Sequence, residues 1–272
     1  MTIHDSQYLN ILINKIRVCT AYKPKFGHGS TGYNLADFQV LYSADPFYAW
    51  LGLDSPLIYA AHKAAGGMTS IYRQIGIGCE ELFRQIIMDS LSLSKEEASW
   101  SYSIAKGQGK TRTLSLDARI SIASISSSIK RERVQAWLNA AAKHLNINPA
   151  VRTSLQGVVF EVRQGYKSKD SKRQNADIAN AATAYTQGYV PCLAVLSSQI
   201  DESIALRYQS EQWLLLTGIL HHTSPMHSLY AFAKEVLEFD LAAFFERNSA
   251  ALQHEIHTVL QTLLSTEREK EA

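Results

Sequence analysis

From Val158 onward, short apolar runs of strand length alternate with helical stretches, and this alternation limits the chain to very few architectures. VVFEVR (158–163) has period two, which puts Val158, Phe160 and Val162 on one strand face and Glu161 and Arg163 on the other. DIANAATAYTQ (177–187) reads as an alanine-rich helix that can pack closely on a sheet. VPCLAVLS (190–197) is a short buried strand, IDESIALRY (200–208) a helix and WLLLTGI (213–219) a further buried strand. Strand–helix–strand order of this kind predicts an α/β fold, a mixed central sheet flanked by helices. Residues 5–19 predict an extra N-terminal helix, and 227–267 two C-terminal helices ahead of a charged tail. The expected organisation is a single domain over 1–272, with a core at about 70–220, an N-terminal helix and loop arm over 1–69 and C-terminal helices over 221–272.

Other segments place candidate functional groups. Residues 70–91 have a helical period with Cys79, Leu82, Phe83, Ile86 and Ile87 in one stripe; Glu80 falls at its edge, either as a solvated flank or as a reach toward a site beneath the helix. AKGQGKTR (105–112) lacks the first glycine of a phosphate loop, Ile104 standing in its place, and a strand rather than a helix follows. It reads instead as a glycine-bearing turn between strands, with Lys110 and Arg112 available to phosphates. In the strand TLSLDARISI (113–122), Asp117 interrupts the alternation. Residues 127–145 form a helix with Val134, Trp137, Leu138 and Ala141 inward. GHGSTG (27–32) has dinucleotide-loop spacing but no preceding strand, so it reads as a loop, with Tyr22, Lys23, Lys25 and Phe26 as an alternative DNA-backbone arm.

At 272 residues, 46% hydrophobic and 19% charged, the composition is that of a globular protein. The net charge of +2 hides an uneven distribution: residues 163–173 carry five cations against one anion, whereas 235–246 lean acidic. Three widely spaced cysteines imply no disulfide framework, and the absence of CxxC and HExxH argues against zinc. The N-terminus does not read as a signal peptide, and no apolar run approaches the roughly 20 residues that span a bilayer. A soluble cytoplasmic protein is expected.

Asp117 and Glu161 each stand at the polar end of a strand. If those strands are neighbours, two carboxylates meet where neither ionises readily without a cation between them. Mg²⁺ suits such oxygen ligands and polarises a phosphoryl oxygen, and a nearby cation stabilises charge growing on phosphorus. The dense positive charge that follows Glu161 fits a phosphodiester substrate.

Asp117, with Glu161-Val162-Arg163 in a later strand, resembles the PD-(D/E)XK nuclease signature. The succeeding QGYKSKDSKRQNADIANAATAY (164–185) is similar to the basic loop and helix of type II restriction endonucleases of the EcoRI-like branch, and also of the ApaLI-like group. The resemblance covers mainly residues 75–200. It implies Mg²⁺ held by Asp117 and Glu161, with Glu80 matching a helix glutamate used by some members. Leu116 replaces a common proline, and Arg163 occupies the lysine position. Because arginine stays protonated and cannot activate water, Lys167 or Lys169 is expected to supply the amine, with Arg163 and Lys167 sharing the catalytic role. Lys169, Lys172, Arg173, Gln174 and Asn175 are of the types that read base edges, or they position phosphates without reading sequence. A twofold-symmetric double-stranded DNA target implies a homodimer. The alternatives are a structure-specific or repair nuclease on the same core, and a non-catalytic DNA-binding protein.

Overall fold

The computed structural model describes residues 3–26, 31–105, 111–165 and 171–265, apart from the side chains of Ile3 and residues 171–174. In chain order the first elements are α1 (Ile3–Arg17), α2 (Leu35–Ser43), α3 (Pro46–Trp50) and α4 (Pro56–Leu91). Strands β1 (Trp100–Ala105), β2 (Thr111–Leu116) and β3 (Ala118–Ser121) precede α5 (Ser128–His144) and α6 (Pro149–Arg152). Then come β4 (Gly157–Arg163), α7 (Ser171–Thr186), β5 (Tyr189–Val195), α8 (Glu202–Ser210), β6 (Leu214–Leu216), α9 (Leu229–Glu235) and α10 (Leu241–Leu264). The fold is mixed α/β, a mixed sheet flanked by helices with further helices at both ends. The residues cluster into two compact units, 1–78 with 247–272, and 79–246. The boundaries fall inside α4 and α10.

The first unit is helical. Tyr8, Leu9, Leu12, Ile13 and Ile16 bury one stripe of α1, and Ile16 and Cys19 join Ile71 of α4 and Val259 and Leu263 of α10 in one core cluster. Asp5, 2% exposed, is held by Arg247 through two bonds of 3.0 and 3.1 Å. Residues 35–69, to which the sequence assigned no element, begin with a capping box: Asn34 accepts from the Asp37 backbone N–H at 2.8 Å, and the Asp37 carboxylate accepts in return from the Asn34 N–H. Asp45 caps α3 by accepting from the Phe47 N–H at 2.9 Å, with Pro46 in the first turn. The helix expected at 70–91 starts at Pro56. Phe26, which the sequence offered as part of an alternative DNA-backbone arm, packs with Tyr33, Phe38, Tyr42 and His62.

The second unit holds the sheet, in order β3-β4-β5-β6, with β3 antiparallel to β4 and the other pairs parallel. A separate hairpin pairs β1 with β2, Trp100 opposite Leu116, on either side of the undescribed residues 106–110. The single strand expected over 113–122 is therefore broken at Asp117: before it the chain pairs with β1, after it with β4.

All seven residues of β4 are buried, because helices cover both of its faces. On one face Phe160 meets Phe83 of α4 at 5.1 Å and Phe232 of α9 at 5.6 Å, and Trp137 of α5 meets Phe232 in a tilted contact at 4.6 Å. On the other, Val159 clusters with Leu193 and Val195 of β5, Ala181 and Ala184 of α7, and Ile204 and Tyr208 of α8. The short alanines let α7 approach the sheet closely. Strand β4 thus has the double-sided burial of an interior parallel strand.

Gly157 opens β4 opposite Ser121, and a Cβ there would collide with the Ile120 carbonyl oxygen. That atom belongs to the paired backbone and cannot rotate away. Gly157→Ala is expected to lower stability toward the upper end of about 1–3 kcal/mol, as overpacking does, by forcing β3 and β4 apart. Urea denaturation checks this; an unchanged midpoint would refute it.

Candidate active site

Registry places Asp117 beside Glu161. Ala118 pairs with Phe160, and the Asp117 N–H donates to the Phe160 carbonyl at 2.8 Å, so the next position on β4 is Glu161. The neighbouring-strand relation that the sequence left conditional is realised here. The Asp117 carboxylate then turns along the strand, Oδ2 accepting from the Val162 N–H at 2.7 Å. With β3 beginning only at Ala118, the side chain takes over where a further residue of β3 would have supplied a carbonyl. Arg84 Nε, from α4, donates to the Asp117 carbonyl, fixing the break from the helix side.

Glu161 and Arg163, two apart, project from the same face of β4 and are each 7% exposed. The Arg163 guanidinium forms an ion pair with Glu161, and its NH2 lies 3.4 Å from Asp177 Oδ2 on α7. The Tyr208 hydroxyl, from α8, donates to the same Asp177 oxygen. Burial alone pulls the Arg163 guanidinium toward deprotonation, but the carboxylates of Glu161, Asp177 and Asp117, together with Tyr208, outweigh it and hold it above the ordinary arginine value. Arg163 is a fixed cation and no general base.

Asp177 was missed as a site residue. Its signal was present: with Asn180, Ala181 and Ala184 it follows the i, i+3, i+4, i+7 spacing of a single helix face, and the alanines mark that face as sheet-covering. Asp177 is 4% and Asn180 6% exposed. Asn180 accepts from the Tyr102 hydroxyl of β1 at 2.7 Å.

The other expected residues are distributed differently. Glu80 is half-buried on α4, one turn before Arg84 and therefore on the same helix face. Arg112 is exposed on β2, opposite Ile104, five residues before Asp117. Lys110, Lys167 and Lys169 lie outside the described residues. Lys172, Arg173 and Gln174 stand in the first turn of α7, which starts at Ser171 rather than at 177, so part of the expected basic loop is helix. Asn175 is exposed and accepts from the Arg207 guanidinium of α8.

A divalent ion would find two acids on adjacent backbone positions, Asp117 and Glu161. Among the described residues no three carboxylate, thiol or imidazole groups form a cage by themselves. Mg²⁺ does not require one, since it is commonly held by one or two carboxylates and completed by water and substrate phosphate. Among the described residues, no helix is long and apolar enough to cross a membrane. Comparison of the chain with protein-family models, with curated proteins and with solved structures returns no match.

Proposed function

We propose that the chain is a sequence-specific, Mg²⁺-dependent DNA endonuclease of the type II restriction kind, acting as a homodimer in the cytoplasm to make double-strand breaks. The observation that carries this reading is the placement of Asp117, just before β3, next to Glu161 of β4, with the Arg163 cation on the same face of β4 as Glu161. Asp117 and Glu161 would hold Mg²⁺, which supplies Lewis acidity at a phosphoryl oxygen when bound.

The chain's own groups divide the remaining work by their chemistry. The β4 backbone fixes Asp117 through two hydrogen bonds, so its carboxylate is preorganised. Glu161 and Asp177 hold Arg163, whose permanent charge suits stabilisation of a phosphate and not proton abstraction. Proton transfer falls to Lys167 or Lys169, in the segment just past β4. Sequence discrimination falls to Lys169, Lys172, Arg173, Gln174 and Asn175, and phosphate contact to Lys110 and Arg112. Glu80 is a further candidate ligand, by its place on the helix face that carries Arg84.

Incubation of the full chain with plasmid and Mg²⁺, with and without chelator, tests the reading; a plasmid left intact under every divalent ion would defeat it. On long linear DNA, discrete fragments mark a restriction enzyme, and a smear marks the structure-specific or repair nuclease. One observation favours the non-catalytic DNA-binding alternative: the Asp117 carboxylate already serves as a strand-end cap for the Val162 N–H.

A further inference from the structure

In the first unit, α2, α3 and the segment before them line an open cleft of about 630 Å³. The described residues that line it are Phe26, Leu41, Tyr42, Ala44, Asp45, Pro46 and Tyr48. Tyr42 and Tyr48 stack with centroids 5.1 Å apart, and Phe26 meets Tyr42 edge-on at 5.4 Å. Aromatic side chains therefore form much of the wall, and their mutual ring contacts hold them in place. Asp45 is the one charged side chain among those described residues. Its carboxylate is pinned by the Phe47 N–H at 2.9 Å, so it is presented in a fixed place.

The charge around the cleft decides what enters. Between Lys25 and Lys63 the sequence has no lysine or arginine but carries Asp37, Asp45 and Asp54. Phosphate and carboxylate ligands are repelled by the Asp45 carboxylate, and a neutral ligand gains from it a hydrogen bond without charge attraction. A cation gains twice, from the negative ring faces and from the carboxylate. We propose that this cleft is a binding site for an organic cation, an alkylammonium or guanidinium group, held against the Tyr42 and Tyr48 rings and paired with Asp45. Nothing in this assignment depends on the second unit being a nuclease.

Calorimetric titration of the full chain tests it, with choline, an arginine tripeptide flanked by blocked glycines, and dimethylbutanol as the uncharged carbon isostere of choline. At least one cation is expected to bind saturably, about tenfold or more tighter than the isostere. Saturation by choline alone marks a free quaternary ammonium ligand; saturation by the tripeptide alone marks the side chain of a polypeptide. Asp45→Asn keeps an N-cap oxygen for Phe47 and removes the charge, so it should weaken the cation about threefold or more with an unchanged melting temperature. Tyr48→Leu should weaken it as well. Failure of both cations to saturate, equal binding of the isostere, or full affinity in both variants would overturn the proposal.

Discussion

Replacing Asp117 or Glu161 by alanine is expected to remove Mg²⁺-dependent DNA cleavage, a fall of at least about 10²–10³-fold, while DNA binding persists. The expectation follows from charge. Both groups are acids on one short stretch of paired backbone, and loss of either leaves a single carboxylate to hold the ion. Asp117 has a second task, so alanine also strips the Val162 N–H of its acceptor at a cost of about 1 kcal/mol. Asp117→Asn separates the two effects, because an amide oxygen accepts that bond without contributing charge. An Asp117→Asn protein that is inactive yet stable, read by nicking of supercoiled plasmid and by thermal melting, supports the metal role. Cleavage at the wild-type rate by Asp117→Asn and Glu161→Gln would remove the metal role of both acids and leave the aspartate a structural cap.

Asp177→Ala is expected to destabilise the protein by about 3–5 kcal/mol, the usual consequence of deleting one partner from a buried ion pair. Arg163 would keep Glu161 but lose a carboxylate 3.4 Å away, and the Tyr208 hydroxyl, on a side chain with no exposed surface, would lose its acceptor. Asp177→Asn should cost less, since its oxygen still receives the tyrosine proton. Urea unfolding of the two variants gives the comparison. A change under about 0.5 kcal/mol for Asp177→Ala would show that the contact carries no stability.

Strand β4 was legible because its alternation is regular and because both sets of alternating side chains have an unmistakable character, three apolar and two charged. What period two does not reveal is that the charged face is also covered; that comes from α7, whose alanines make close approach possible. TLSLDARISI looked continuous since β-type residues lie on both sides of Asp117, and nothing local announces that the pairing partner changes there. The start of α7 was placed late because residues 171–176 are polar, so no apolar period reports the helix. Residues 35–58 carried readable caps, Asn34 with Asp37 and Asp45 with Pro46, but their aromatic side chains cluster locally and give no clean amphipathic stripe. Asp177 was legible in principle: a carboxylate in phase with two sheet-facing alanines has to be buried with a partner.

Building the Glu161–Arg163 pair into a strand enclosed on both sides ties chemistry to architecture. A polarity change at either position costs stability as well as chemistry, which narrows the set of altered chains that stay folded. Diversification of such a protein is channelled instead toward the exposed positions of α7, such as Asn175 and Ala176, where substitutions leave the enclosed strand untouched.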